Sequence, residues 1–195
     1  MLVCLALTGL ADKCDVEKRA APSLILFKVK PFTELPPMPQ TARTADLGSI
    51  AFRVAPLLDD EESQELFESN LQLAGLLPVR LEMVHNSGEP IEVRKVSFHL
   101  HDAGGMEWKA LSAKKAIARI LKANDVYTYN PQARKTFNKE FGAYELDLKQ
   151  PLTHSERRRG GFLFFQSPNK EPVASPRGLV LTIAGLAQPA TIILN

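Results

Sequence analysis

Apolar and polar residues alternating at a spacing of two restrict this chain more than any other feature of it. The pattern recurs in "SIAFRVAP" (49–56), "VRLEMVHN" (79–86), "IEVRKVSFHLHD" (91–102), "YELDL" (144–148), "GFLFFQ" (161–166) and "GLVLTIAG" (178–185), with "ATIILN" (190–195) as a further candidate. Side chains alternate faces along a strand, so stretches of this kind bury one face and wet the other. In the first, Ile50, Phe52 and Val54 share the buried face. "VRLEMVHN" and "IEVRKVSFHLHD" flank "SGEP", which predicts an antiparallel hairpin. On its return arm the apolar parity switches between Val93 and Val96, which predicts a bulge near Arg94–Lys95. Beyond it Val96, Phe98 and Leu100 point inward, and Ser97, His99 and His101 point out.

Helical spacing interrupts the strands in the middle of the chain. Asp59 followed by Glu62 forms a capping-box start, with Leu66 and Phe67 as the apolar side of a short helix. Ser112 precedes "AKKAIARILKAN", in which Ala113, Ala116, Ile117, Ile120 and Leu121 make one stripe. Asn130, Pro131 and Gly142 bracket a further helix as N-cap, first residue and C′, with Phe137 and Phe141 four apart. Strands first, helices inserted, strands last: this order predicts a mainly β, antiparallel β-sandwich with two or three inserted short helices, the helical insertion covering 112–142.

Length and charge narrow the class. A chain of 195 residues can bury one core without metals or disulfides. A net charge of +2 is too small to imply nucleic acid as a partner. Cys4 and Cys14 are the two cysteines, so no disulfide framework staples the later body of the chain.

"MLVCLALTGLA" (1–11) has the apolar length of a signal-peptide core, with Gly9 and Ala11 small where cleavage needs small residues. It lacks a basic start, so it is either a truncated signal segment, cleaved before Asp12, or no signal peptide at all but an apolar N-terminal strand or a buried helix; the first is the expectation carried forward. Acylation of Cys14 or Cys4 is the lipoprotein alternative, although Asp12 and Lys13 are the wrong neighbours for Cys14. Residues 12–46, with four prolines between 28 and 48, are expected to form an extended linker, and 47–195 the domain. The location expected from this is extracytoplasmic, in the periplasm or cell envelope and in some cases membrane-anchored. No segment is long enough to span a bilayer.

"LLPVRLEMVHNSGEPIEVRKVSFHLHDAGGMEW" (76–108), "LTHSERRRGGFLFFQSP" (152–168) and "GLVLTIAG" together resemble the telokin-like Ig-like domains of secreted bacterial proteins and lipoproteins. The likeness covers about half of the chain and consists of turn residues and core faces. It implies an extracytoplasmic β-sandwich and carries over no catalytic residues. Helices at 112–142 depart from the usual pattern.

His99 and His101, two apart on one strand face, have the spacing of a metal-ligand pair. A site needs three or four ligands; Asp102 and Glu107 are available carboxylates, whereas His85 lies beside the turn and His154 in a distant loop. Exposed strand histidines are the simpler expectation, with no metal and no cofactor. The basic run Arg157, Arg158 and Arg159 and the helix residues Lys114 and Lys115 are candidates for a binding surface. There is no Gly-x-Ser-x-Gly elbow, and His154-Ser155-Glu156 are sequence neighbours that cannot assemble a triad. The expected function is a non-catalytic exported binding or structural module whose partner is a protein or envelope component. The alternatives are a metal-dependent or hydrolase-like enzyme using His99 and His101, and a cytoplasmic adaptor.

Overall fold

A computed structural model describes residues 27–195; the apolar run 1–11, Cys4 and Cys14 lie outside the described residues. The strands are β1 (Arg43–Asp46), β2 (Ile50–Pro56), β3 (Leu76–His85), β4 (Ser97–His101), β5 (Glu107–Leu111), β6 (Arg158–Gln166), β7 (Val180–Ala184) and β8 (Ala190–Ile193). The helices are α1 (Asp60–Phe67), α2 (Ala113–Ala123) and α3 (Pro131–Gly142). The described residues are thus mainly β with three α-helices, and their eight strands form one sheet in the order β1-β2-β3-β6-β5-β4-β7-β8. Every strand pair is antiparallel.

β5 is the corner of this sheet. Its first residues pair with β4 (Glu107 with His101, Trp108 with Leu100), and its last three pair with β6 (Lys109, Ala110 and Leu111 with Gln166, Phe165 and Phe164). One strand therefore belongs to two half-sheets, β1-β2-β3-β6 and β4-β7-β8, which fold over each other. The outer strands β1 and β8 lie side by side, so the sheet comes close to closing into a barrel. That arrangement keeps both free edges from strange strands.

Alternation then builds two cores. Between the half-sheets lie Ile50, Phe52, Val54, Val79, Leu81 and Met83 from one side and Phe98, Leu100, Leu181, Ile183 and Ile192 from the other. On the opposite face of β6, Phe162 and Phe164 meet Phe67 of α1, the stripe Ala113, Ala116, Ile117, Ile120 and Leu121 of α2, and Phe137 and Phe141 of α3. The helices thus form a third layer over one half-sheet. Asn130 caps α3 by accepting from the Gln132 and Ala133 amides at 2.8 and 3.4 Å, and Asp59 caps α1 by accepting from the Glu61 amide at 2.9 Å. Ser112 stands at the N-cap of α2 without a side-chain cap bond, and Gly142 lies within the last turn of α3 instead of beyond it.

The expected hairpin of "VRLEMVHN" and "IEVRKVSFHLHD" does not form. β3 pairs with β2 and β6, and β4 pairs with β5 and β7. The parity switch marks a turn in place of a bulge: the Val96 amide donates to the Val93 carbonyl at 3.0 Å, and the chain crosses there to the other half-sheet. Inward Val93, Val96, Phe98 and Leu100 are as expected. The turn abuts Gly185 (φ +87°), where a Cβ would stand 2.0 Å from the Lys95 carbonyl oxygen.

"YELDL" makes no strand of its own. β5 reaches only Phe164–Gln166 of β6, and the edge left free at Phe162 takes Tyr144 and Leu146: the Leu146 amide donates to the Phe162 carbonyl at 3.1 Å. Gly161 permits this contact, since a Cβ there would lie 2.6 Å from Leu146 Cα.

The described part of the proline-rich stretch expected as a linker, residues 27–46, lies on the domain. Val29 is buried, and the Phe32 ring meets Tyr144 edge-on at 5.3 Å. The Tyr144 hydroxyl donates to the Lys30 carbonyl at 2.8 Å, and β1 pairs Arg43–Asp46 with Val54–Ala51.

Candidate binding surface

His99 and His101 occupy the outward face of β4, as the parity demands. His99 Nδ1 lies 3.3 Å from Glu107 Oε1, and Nε2 lies 3.3 Å from Ser97 Oγ. The connectivity is that of a nucleophile, base and carboxylate, but the row lies open to solvent, with side-chain exposures of 47% for His99 and 61% for Glu107. Water competes for each bond, and no enclosing site lowers the local dielectric. No group of three or more His, Cys, Asp or Glu close enough to hold a metal exists among the described residues. His85 and His154, both remote from His99 and His101, lie near each other, with ring centroids 6.3 Å apart. The buried His85 uses Nε2 on the Glu89 carbonyl at 2.8 Å.

The three arginines in sequence separate completely. Arg157 is exposed, and Arg158 stands 3.8 Å from Glu82. Arg159 is turned inward, on the same side of β6 as Leu163 and Phe165, and only 8% exposed. Its guanidinium donates to Glu156 Oε1 (2.8 Å) and Oε2 (2.6 Å) and to the carbonyls of Asp147 (3.1 Å), Gln150 (2.6 Å) and Pro151 (3.0 Å). All five donors of an arginine are used. The bond from Arg159 holds the Glu156 carboxyl below its usual range, against the smaller opposing effect of burial. Arg159 ties the 147–156 loop to β6 and is no part of a surface.

A groove of about 450 Å³ runs between the β4–β5 turn and the 167–177 connection, bordered by Met106, Trp108 and Arg177. Two of its polar side chains, Asp102 and Ser167, are occupied within the protein. Asp102 Oδ1 accepts from the Gly104 and Met106 amides at 2.9 and 3.1 Å, and Oδ2 accepts from Trp108 Nε1 at 3.2 Å. Burial pushes the Asp102 carboxyl up, but these three bonds and the nearby His101 more than offset it and hold the group below its ordinary value. Ser167 Oγ donates to the Glu171 carbonyl at 2.7 Å. The groove's chemistry goes into holding its own loops.

The helical layer is different. Over 112–142, seven basic residues (Lys114, Lys115, Arg119, Lys122, Arg134, Lys135, Lys139) face two acidic ones (Asp125, Glu140), a net +5 in a chain of +2. The remainder of the chain therefore carries −3. Helix geometry sorts the basic side chains. Lys115 and Lys122, seven apart, lie opposite the buried stripe of α2, and Lys135 and Lys139, four apart, lie opposite Ala133, Phe137 and Phe141 on α3. α2 and α3 lie side by side over the same half-sheet, so both rows point away from it. Both arginines are engaged: Arg119 donates to the Ala74 and Lys170 carbonyls at 3.0 and 2.9 Å, and Arg134 sits 5.3 Å above the Tyr129 ring. None of the five lysines of this layer forms an ion pair among the described residues.

Helix stability explains only half of this arrangement. Lys122 and Lys139 lie in the last turns, where a cation favours the dipole. Lys114 and Lys115 lie in the first turn of α2, which holds no acidic residue, and there the dipole opposes them. A local rule broken at the surface, without a pairing partner to compensate, is a mark of function.

Of the residues singled out in the sequence, Lys114 and Lys115 thus join a wider surface, Arg159 leaves it, and His99 and His101 lie on the other half-sheet. Lys135 and Lys139 belong to the same surface and carry no motif; their i, i+4 spacing opposite Phe137 was their one signal. No protein-family model, curated protein or solved structure matches the chain.

Proposed function

We propose that this chain is a non-catalytic, exported binding or structural module of the bacterial cell envelope. Its domain is a decorated variant of the telokin-like Ig-like β-sandwich, in which the strand β5 joins two half-sheets that would otherwise be separate. The β scaffold presents the helical layer, and the lysine face of α2 and α3 makes contact with an envelope component. The observation that carries this is the cluster of lysines without ion-pair partners, two of them placed against the helix dipole. The signal-like run 1–11 and the resemblance to secreted domains support the location.

Fractionation of cells tests the contact. Wild-type protein is expected with the envelope fraction and released by high salt. A variant carrying Lys115→Glu, Lys122→Glu, Lys135→Glu and Lys139→Glu is expected in the soluble fraction. Retention of that variant at the wild-type level refutes the assignment of the surface.

A further inference from the structure

Resting on that reading of the α2–α3 face, we propose that its ligand is an anionic phospholipid surface, engaged by Lys114, Lys115, Lys122, Lys135 and Lys139 with Tyr127 seated at headgroup level. Three observations favour a bilayer over other polyanions.

The first is the choice of cation. Guanidinium groups suit bidentate phosphate and base recognition, and both arginines of this layer are spent inside the protein, on the Ala74 and Lys170 carbonyls and on the Tyr129 ring. What remains outward is lysine, a compact charge on a flexible stem that follows a fluid array of headgroups. The second is shape. Lys115, Lys122, Lys135 and Lys139 stand on the outward sides of two adjacent helices, with Lys114 on the flank of α2, an open face that can meet a plane. The third is Tyr127, 73% exposed in the α2–α3 connection, its hydroxyl donating to Asp125 Oδ1 at 3.2 Å and its ring faces open. An apolar ring with a polar tip suits the boundary between headgroups and acyl chains. Tyr129, by contrast, carries Arg134 on its face and is not free to stack on a base.

Five lysines lie within the four-to-eight range of basic clusters that hold anionic leaflets.

Co-sedimentation of the full chain with vesicles is the test, using phosphatidylcholine alone or with roughly one-third phosphatidylglycerol. Binding is expected only to the second kind, and to disappear at about 0.5 M sodium chloride, where the Debye length falls to roughly 4 Å. The four-lysine reversal is expected to weaken binding at least tenfold, with circular dichroism and Trp108 emission reporting the fold. Should that variant misfold, Lys115→Gln with Lys139→Gln takes its place, with a loss of several-fold expected. A Tyr127→Trp variant is expected to show blue-shifted emission on phosphatidylglycerol vesicles. Equal binding to both vesicle types, binding to neither, or equally tight binding of a single-stranded oligonucleotide at the same salt overturns the proposal. Envelope association that is lost on lysine reversal in cells, without vesicle binding, overturns the lipid assignment alone and leaves a protein partner at this surface.

Discussion

Replacing Arg159 with methionine isolates the contribution of one buried guanidinium. The side chain is 8% exposed, makes a bidentate pair with Glu156 and donates to three carbonyls on the 147–151 segment. Methionine keeps the apolar stem and removes all five donors. A charge-assisted pair contributes about 1.5–3 kcal/mol, and each carbonyl left without a partner costs about 1 kcal/mol or less where water reaches it. Glu156 is 45% exposed and recovers part of its hydration, so the sum falls to roughly 3–5 kcal/mol. That is a large share of the stability of a single domain. Urea unfolding followed by the emission of Trp108, the single tryptophan, reads the change as a shift in midpoint at constant slope. Arg157→Ala, exposed, and Arg158→Ala, whose contact with Glu82 is 3.8 Å long and open to solvent, are expected to cost less than about 0.5 kcal/mol each. A loss below about 1 kcal/mol at Arg159, or equal losses along the run, refutes the inward placement of that side chain.

On β4, Phe98→Ala is expected to cost about 3–5 kcal/mol and His99→Ala less than about 0.5 kcal/mol, measured in the same way; equal costs would reverse the assigned faces. Removing residues before Leu47 takes away β1, buried Val29, Phe32 and the acceptor of the Tyr144 hydroxyl. A loss of roughly 3–6 kcal/mol is expected, and an unchanged urea midpoint would return this stretch to the status of a linker. The Asp102 carboxyl is held below its ordinary value, so its contribution is complete above the unfolded-state value and lost as pH falls through the folded-state one. Unfolding midpoints taken from about pH 5 downward are expected to fall more steeply in wild type than in Asp102→Asn, and parallel curves would contradict that.

What the sequence disclosed was local. The inward face of β2, the stripe of α2, the Asn130–Pro131 start of α3 and the β7 and β8 strands follow from periodicity and caps that involve near neighbours alone. Pairing partners did not follow, because a strand's alternation states which face is buried and not which strand lies beside it. β1, "RTAD", has no bulky apolar residue, and β5, "EWKAL", has Trp108 as its one buried side chain, so neither announces itself. The surface behaved likewise. Lys114 and Lys115 were legible as outward residues of one helix, whereas the joint face with Lys135 and Lys139 exists only once α2 and α3 lie together. Arg159 was recoverable: counting back by twos from Phe165 and Leu163 places it inward, where a run of three arginines suggests only solvent.

The most direct measurement of the central claim is the mass and location of the chain made in cells from the gene in its native context. Export predicts a mature protein that begins at or near Asp12 and is recovered outside the cytoplasm. An uncleaved chain that retains Met1 and is recovered from the cytosol would contradict it.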